Sequence, residues 1–246
     1  MSKPRIAIFD FACCEGCQLQ IVNLEESLLD LVGQVDVVTW REAVEGESDE
    51  YDVALVEGSC VRKSDEPRLK QIRERAKILV ALGACACTGC VNNLVNFRGV
   101  EQAKQEVYGD KADLIEAYGA HKIDDIVPVD AYVHGCPINR AEFLRIVTDL
   151  LLGKKIEIAN YPVCVECKMA GNECRFEKGG FCLGPITRAG CGAICPTNNS
   201  DCAGCRGLVD DPNANAENEV LEKYGLTVED MTKKYRVFLG ATEVAT

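Results

Sequence analysis

Cys164, Cys167, Cys174, Cys182, Cys191, Cys195, Cys202 and Cys205 bring half of the chain's 16 cysteines into one stretch. Their spacings are C-x2-C-x6-C-x7-C, then C-x3-C-P and C-x2-C. Glycines interrupt the stretch throughout, and no aliphatic run in it is long enough to make a core. Such a segment cannot offset its chain entropy by burying apolar surface. A bound group must supply the missing stability, and thiolates in sets of four bind metal. Three chemistries compete for these thiols. Disulfides suit a secreted framework, and no secretory signal precedes this one. Four-thiolate zinc is the plain structural choice. Iron–sulfur clusters are the third, and a cysteine followed by proline, as at Cys195-Pro196 and Cys136-Pro137, is how the bacterial ferredoxin run ends. Spacing alone says that this is a metal–thiolate module and does not choose iron over zinc.

The elements upstream carry more thiols. Residues 5–11 read as a buried strand, followed at once by Cys13, Cys14 and Cys17. A helix pattern runs from Gln18 to Leu31. Strands are expected at Val35–Thr39, Tyr51–Val56, Lys77–Leu82 and Val127–Val133, with helices at Asp65–Arg75 and Asn139–Leu152. Four of these strands run into cysteine-bearing loops, at 13–17, 60, 85–90 and 136. In a parallel α/β sheet such strand ends share one edge, where these folds keep their ligands. Cysteines distant in sequence therefore converge, and a third site from Cys14, Cys17, Cys85 and Cys136 follows. Any one of them read singly is as readily a small buried hydrophobe.

Composition excludes several function classes. The 246 residues carry a formal charge of −12, which speaks against nucleic acid or an anionic membrane surface as partner. No stretch approaches the roughly 20 apolar residues of a membrane span. Met1 leads straight into a strand, with no export leader, so a cytoplasmic protein is expected.

The motifs as a set resemble the small, electron-transferring subunit of [NiFe] hydrogenases. The matching pieces are Cys14-Glu15-Gly16-Cys17, Glu57-Gly58-Ser59, Gly83-Ala84-Cys85-Ala86 and Gly135-Cys136-Pro137, followed by the cysteine-rich segment. The resemblance covers about residues 5–207 and is nearest to the multisubunit sulfhydrogenase and cofactor-linked bidirectional type. It implies an α/β fold: a flavodoxin-like parallel sheet domain at 1–155, an irregular Cys-rich iron–sulfur module at 156–207, and a tail at 208–246 docked on a partner subunit. It further implies three [4Fe–4S] clusters. Cys14, Cys17, Cys85 and Cys136 would hold the proximal one. Cys164, Cys167, Cys174 and Cys182 would hold the distal one, and Cys191, Cys195, Cys202 and Cys205 the medial one. The implied partners are a [NiFe] large subunit and a flavin/iron–sulfur diaphorase-type subunit. A stand-alone iron–sulfur carrier, or a relative of the complex I quinone-reductase subunit, is the alternative.

Two departures from exported relatives stand out. Their distal site often starts with histidine, where this chain has Cys164, and their medial site often has proline where Cys195 stands. Both changes imply all-cysteine cubanes, which usually sit at lower potential. Cys13, Cys60, Cys87 and Cys90 remain. They read as buried thiols or neighbours of the strand-end site, although their number also allows a fourth cluster. Glu15 and Glu57 read as solvated loop carboxylates, His134 as a neighbour of the proximal site and His121 as surface. A helix at about 217–224 and a strand-like piece at 235–239 are expected in the tail.

Overall fold

The computed structural model describes residues 3–211, 219, 223–225 and 227–239. Five strands form one parallel sheet in the order β2-β1-β3-β4-β5: β1 Arg5–Asp10, β2 Asp36–Trp40, β3 Val53–Glu57, β4 Ile78–Leu82 and β5 Ala131–Val133. The strands are near-continuous apolar runs because both faces of the sheet are covered. Their side chains alternate between two cores. Ile6, Ile8, Val53, Leu55, Val80 and Leu82 pack on one face against Ile21, Leu24, Phe143, Ile146 and Val147. Ala7, Ala54, Val56, Leu79 and Ala81 pack on the other against Leu69, Ile72, Ile123 and Val127. The order reverses between β1 and β3, whose register pairs Asp10 with Glu57 at the carboxyl ends.

The helix expected from Gln18 to Leu31 is two helices, α1 Gly16–Val22 and α2 Glu26–Gln34. The break has a local cause. Glu25 takes a positive φ of 55°, and Leu24 turns inward to the core with its N–H bonded to the Ile21 carbonyl. Helix α3, Asp65–Arg75, falls where its pattern put it. α4 Gly83–Thr88, α5 Leu94–Arg98 and α6 Val100–Tyr108 follow β4. β5 is shorter than the apolar run from Val127 suggested, since residues 127–130 leave the sheet. Helix α7, Arg140–Leu151, is capped by Asn139, whose side chain accepts from the Glu142 N–H at 3.0 Å.

The cysteine-rich segment is mostly loop, with two short helices, α8 Val163–Met169 and α9 Ile194–Thr197. It has a small core of its own: Val163, Phe176, Cys182, Ala193 and Cys202 are buried together, and Leu183 and Ile186 pack with Tyr235 and Leu239. The last two belong to helix α10, Val228–Leu239, so the strand expected at 235–239 is the end of a helix. Its apolar residues recur at helical spacing, and that face closes the module from within the chain. The Thr88 hydroxyl donates to the Phe238 carbonyl at 2.6 Å, tying α10 to α4 as well. The helix expected at about 217–224 falls mainly outside the described residues.

Candidate functional site

The chain turns that end β1, β3, β4 and β5 meet at one edge. Glu57 closes β3, and its carboxylate accepts from the N–H groups of Cys17 (3.1 Å) and Gln18 (3.2 Å) at the start of α1. Glu57 is 1% exposed, so it is a buried anchor of the cysteine loop and not the solvated carboxylate its loop position suggested. Glu15 does reach solvent and pairs with Arg41. Gly83 starts α4 at φ +82°, and a methyl there would overlap the Cys17 sulfur, so glycine lets β4 approach the first cysteine loop. The Cys14 sulfur lies against Gly16, next to Pro137. The Ala84 N–H donates to the Gly135 carbonyl at 2.7 Å, joining the Cys85 loop to the Cys136 loop. Cys14, Cys17, Cys85 and Cys136 are thus brought to one place.

Cys90 joins them. Its thiol is within hydrogen-bonding reach of the thiols of Cys136 and Cys85. It is 1% exposed and sits at a φ of +50°, a backbone conformation uncommon for a residue with a side chain. The hydrogen bond with Cys136 lowers its thiol pKa, but the Cys85 thiol and burial outweigh it and leave it raised to about 12. The spacing of five residues from Cys85 was the available signal. Cys87 differs: its thiol points into the core toward the carbonyls of Ala81 and Val133, at 3.6 and 3.7 Å. Cys60 is fully buried in that same core, and its backbone pairs with His121. Cys13 is half-buried, and burial followed by the Glu57 charge raises its thiol to about 12.

Cys191, Cys195, Cys202 and Cys205 all line one cavity of about 520 Å³, and Cys136 stands on its wall. Around Gly184 the sulfurs of Cys164 and Cys182 approach a single point, each 3.3 Å from where a Cβ would lie. Cys167 and Cys174 pack on the cluster of Val163, Phe176 and Cys182. The Cys202 N–H donates to the Cys182 sulfur at 3.2 Å, so the second and third groups adjoin. Glu166, on the helix of Cys164 and Cys167, accepts from Gly190 (2.8 Å) and Ala193 (3.2 Å), fixing that helix against the Cys191 loop. His134 stacks on Tyr132, and burial, then Arg206 and Arg188, lowers its pKa to about 3. It is a neutral spacer just before Cys136. His121 is half-exposed and stacked on Tyr118.

The donor set suits iron–sulfur clusters. Burial, with Glu57 next, pushes the Cys17 thiol far above its ordinary value, and burial lifts Cys202 to about 12 and Cys205 to about 11. A free thiolate is costly in such surroundings, and coordination to a cationic core offsets that cost. The medial four line a cavity of about 520 Å³, and glycines at 83 and 184 keep side chains away from the sulfurs of Cys17, Cys164 and Cys182.

Known proteins resemble this chain along most of its length. The chain is 34% identical over 236 residues to sulfhydrogenase 2 subunit delta of Pyrococcus furiosus, covering 95% of this chain and 98% of that one. The chain belongs to the hydrogenase small-subunit family. A second member, a vhu-type F420-non-reducing hydrogenase subunit from Methanococcus voltae, is 30% identical over 242 residues, 85% of this chain and 84% of its own. The family model for the NADH ubiquinone oxidoreductase 20 kDa subunit matches residues 14–150, most of the sheet domain after β1, and leaves out the cysteine-rich module. A chain of an NAD+-reducing [NiFe]-hydrogenase aligns with a TM-score of 0.58 at 29% identity, over 63% of this small subunit and 95% of that chain. A [NiFeSe]-hydrogenase of Dm. baculatum aligns with a TM-score of 0.59 over 88% of this chain and 98% of its own; at 14% identity it speaks for the fold alone.

Proposed function

We propose that this hydrogenase small subunit relays electrons between the [NiFe] site of a large subunit and a flavin/iron–sulfur diaphorase-type subunit. Its cofactors in this reading are three [4Fe–4S] clusters, which supply one-electron transfer when bound. Cys14, Cys17, Cys85 and Cys136 would hold the proximal one, Cys191, Cys195, Cys202 and Cys205 the medial one, and Cys164, Cys167, Cys174 and Cys182 the distal one. The observation that carries the reading is the continuity of the three thiol groups. Cys136 stands on the wall of the cavity lined by Cys191, Cys195, Cys202 and Cys205, and the Cys202 N–H donates to the Cys182 sulfur.

The protein's own work is to hold, desolvate and space these groups. Glu57 and Glu166 fix the loops through backbone N–H groups, and α10 packs on Ile186 and on Leu183, next in the chain to the buried Cys182. The two ends stay open. Cys14 and Cys136 are exposed, and α1, which follows Cys14, exposes Leu19 (51%) and Val22 (40%), apolar surface fit for the large subunit. At the other end Met169, 83% exposed, follows Cys164 and Cys167 on α8, a face fit for the electron partner. The division into 1–155, 156–207 and 208–246, with the tail meeting a partner subunit, belongs to the same reading, as does a cytoplasmic location. Among the described residues no helix is long and apolar enough to cross a membrane.

The test is spectroscopic. The complex, purified anaerobically and placed under H2, should show iron–sulfur absorption that bleaches and returns on adding an acceptor. A colourless chain carrying zinc, or absorption indifferent to H2, overturns the relay.

A further inference from the structure

Arg206 follows Cys205 in sequence and is 1% exposed, the largest of the fully buried side chains among the described residues. Its guanidinium meets Glu142 of α7 in a two-pronged pair, Nη1 to Oε2 and Nη2 to Oε1, both at 2.7 Å. Nε also donates to the Ala189 carbonyl at 2.8 Å, and Nη1 to the His134 carbonyl at 2.8 Å. One side chain thus grips the sheet domain through α7, the strand end two residues before Cys136, and the loop leading to Cys191. Gly190 closes over the pair at φ +113°, where a Cβ would collide with Arg206 Nη2 and Glu142 Oε1. Cys205, which precedes Arg206, and Cys191, which follows Gly190, belong to the medial set.

Arg206 lines the medial cavity and Glu142 does not; Glu142 lines an adjoining groove with Asn139, Arg145 and Tyr161, and Cys191 borders both spaces. Of the cavity's lining residues only Arg140 and Arg206 are charged; Arg140 is exposed and donates to the Asn23 carbonyl. A buried ion pair is weak evidence for added stability, because desolvation consumes much of its attraction. A bidentate, fully hydrogen-bonded arginine is strong evidence for fixed geometry.

The geometry points to Arg206 as the positioning residue of the proximal-to-medial step, with its cation aimed at the medial site to favour the reduced cluster and Glu142 holding it there. The inference rests on reading Cys191, Cys195, Cys202 and Cys205 as a cluster site. A cation beside a cluster in low dielectric stabilises the added electron, so it raises that cluster's potential. Removing the charge should lower the potential. Removing the paired carboxylate should raise it.

The experiment is an EPR-monitored redox titration of the anaerobically purified complex, with the medial signal identified by its change in a Cys195→Ala variant. Arg206→Gln should shift the medial midpoint downward and Glu142→Gln upward, the distal midpoint staying in place. Arg206→Lys should retain more of the wild-type midpoint than Arg206→Gln. If Arg206→Gln fails to assemble, Glu142→Gln decides alone, since its amide keeps the shape and one acceptor. Shifts of the same sign in the two glutamine variants, or an unmoved medial midpoint in Glu142→Gln, overturn the inference while leaving the relay intact. Absence of three cluster signals in the wild type overturns the relay itself, and this inference with it.

Discussion

Single thiols in one loop differ in what they do, and the difference is testable. Cys85 faces Cys90 and the strand-end group, whereas Cys87, two residues on, donates into the core toward Ala81 and Val133. Cys85→Ala should abolish H2-driven reduction of an external acceptor, because three thiolates remain for a four-iron core. H2/D2 exchange needs no net electron flow and should survive in the assembled complex. Cys87→Ala should leave acceptor reduction near wild type and cost about 1 kcal/mol of stability, the order of a lost weak hydrogen bond plus a small cavity. Equal loss of acceptor reduction in both variants would contradict the assignment. Glu57 calls for a different measurement. Its carboxylate satisfies two backbone N–H groups at the start of α1, and Glu57→Ala leaves both buried and unpaired, at a cost of about 2 kcal/mol. Amide exchange at Cys17 and Gln18 should accelerate accordingly, and protection equal to wild type would show that the cap is dispensable.

The elements that carry the thiols were legible where hydrophobic periodicity was uninterrupted. The five strands and α3 follow from their apolar runs and flanking turns. The break between α1 and α2 was not, because it depends on the left-handed backbone of Glu25 and on Leu24 turning into a core that only the folded sheet provides. The run Tyr235 to Leu239 alternates well enough for a strand, and only its packing on Leu183 and Ile186 makes it a helix face. That helix supplies much of the module's apolar support, so Leu239→Ala should destabilise the module by about 3 kcal/mol, the usual range for a buried leucine. Even so, the segment 164–205 has little core beside what metal would add. Removing iron with a chelator should expose it to protease before the 5–152 domain is cut. Equal resistance of the apo and iron-loaded segments would show that the small cores suffice alone.

Across the whole molecule, the meeting of the Cys14, Cys17, Cys85 and Cys136 loops was readable because strand ends of a parallel sheet must share an edge, and the cysteine-rich segment stood out because dense cysteines cannot fold unaided. What spacing could not give was the coupling between the parts. Arg206 and Glu142 lie 64 positions apart, and neither stands in a recognisable motif. Cys90 read as one leftover thiol among four, until the turn at Gly89 brought it against Cys85 and Cys136. The three groups form a continuous series from the exposed Cys14 and Cys136 to the helix of Cys164 and Cys167, which makes the metal content a test of the entire arrangement. Three four-thiolate cubanes amount to about twelve iron and twelve sulfide per chain. The anaerobic complex, corrected for iron in its other subunits, should give that number by elemental analysis. A value near eight, or a native three-iron EPR signal, would mean that one group does not hold a cubane, and the Cys195→Ala and Cys85→Ala variants would identify which. A value near sixteen would mean that Cys13, Cys60, Cys87 and Cys90 hold iron too, which the core-facing thiol of Cys87 opposes.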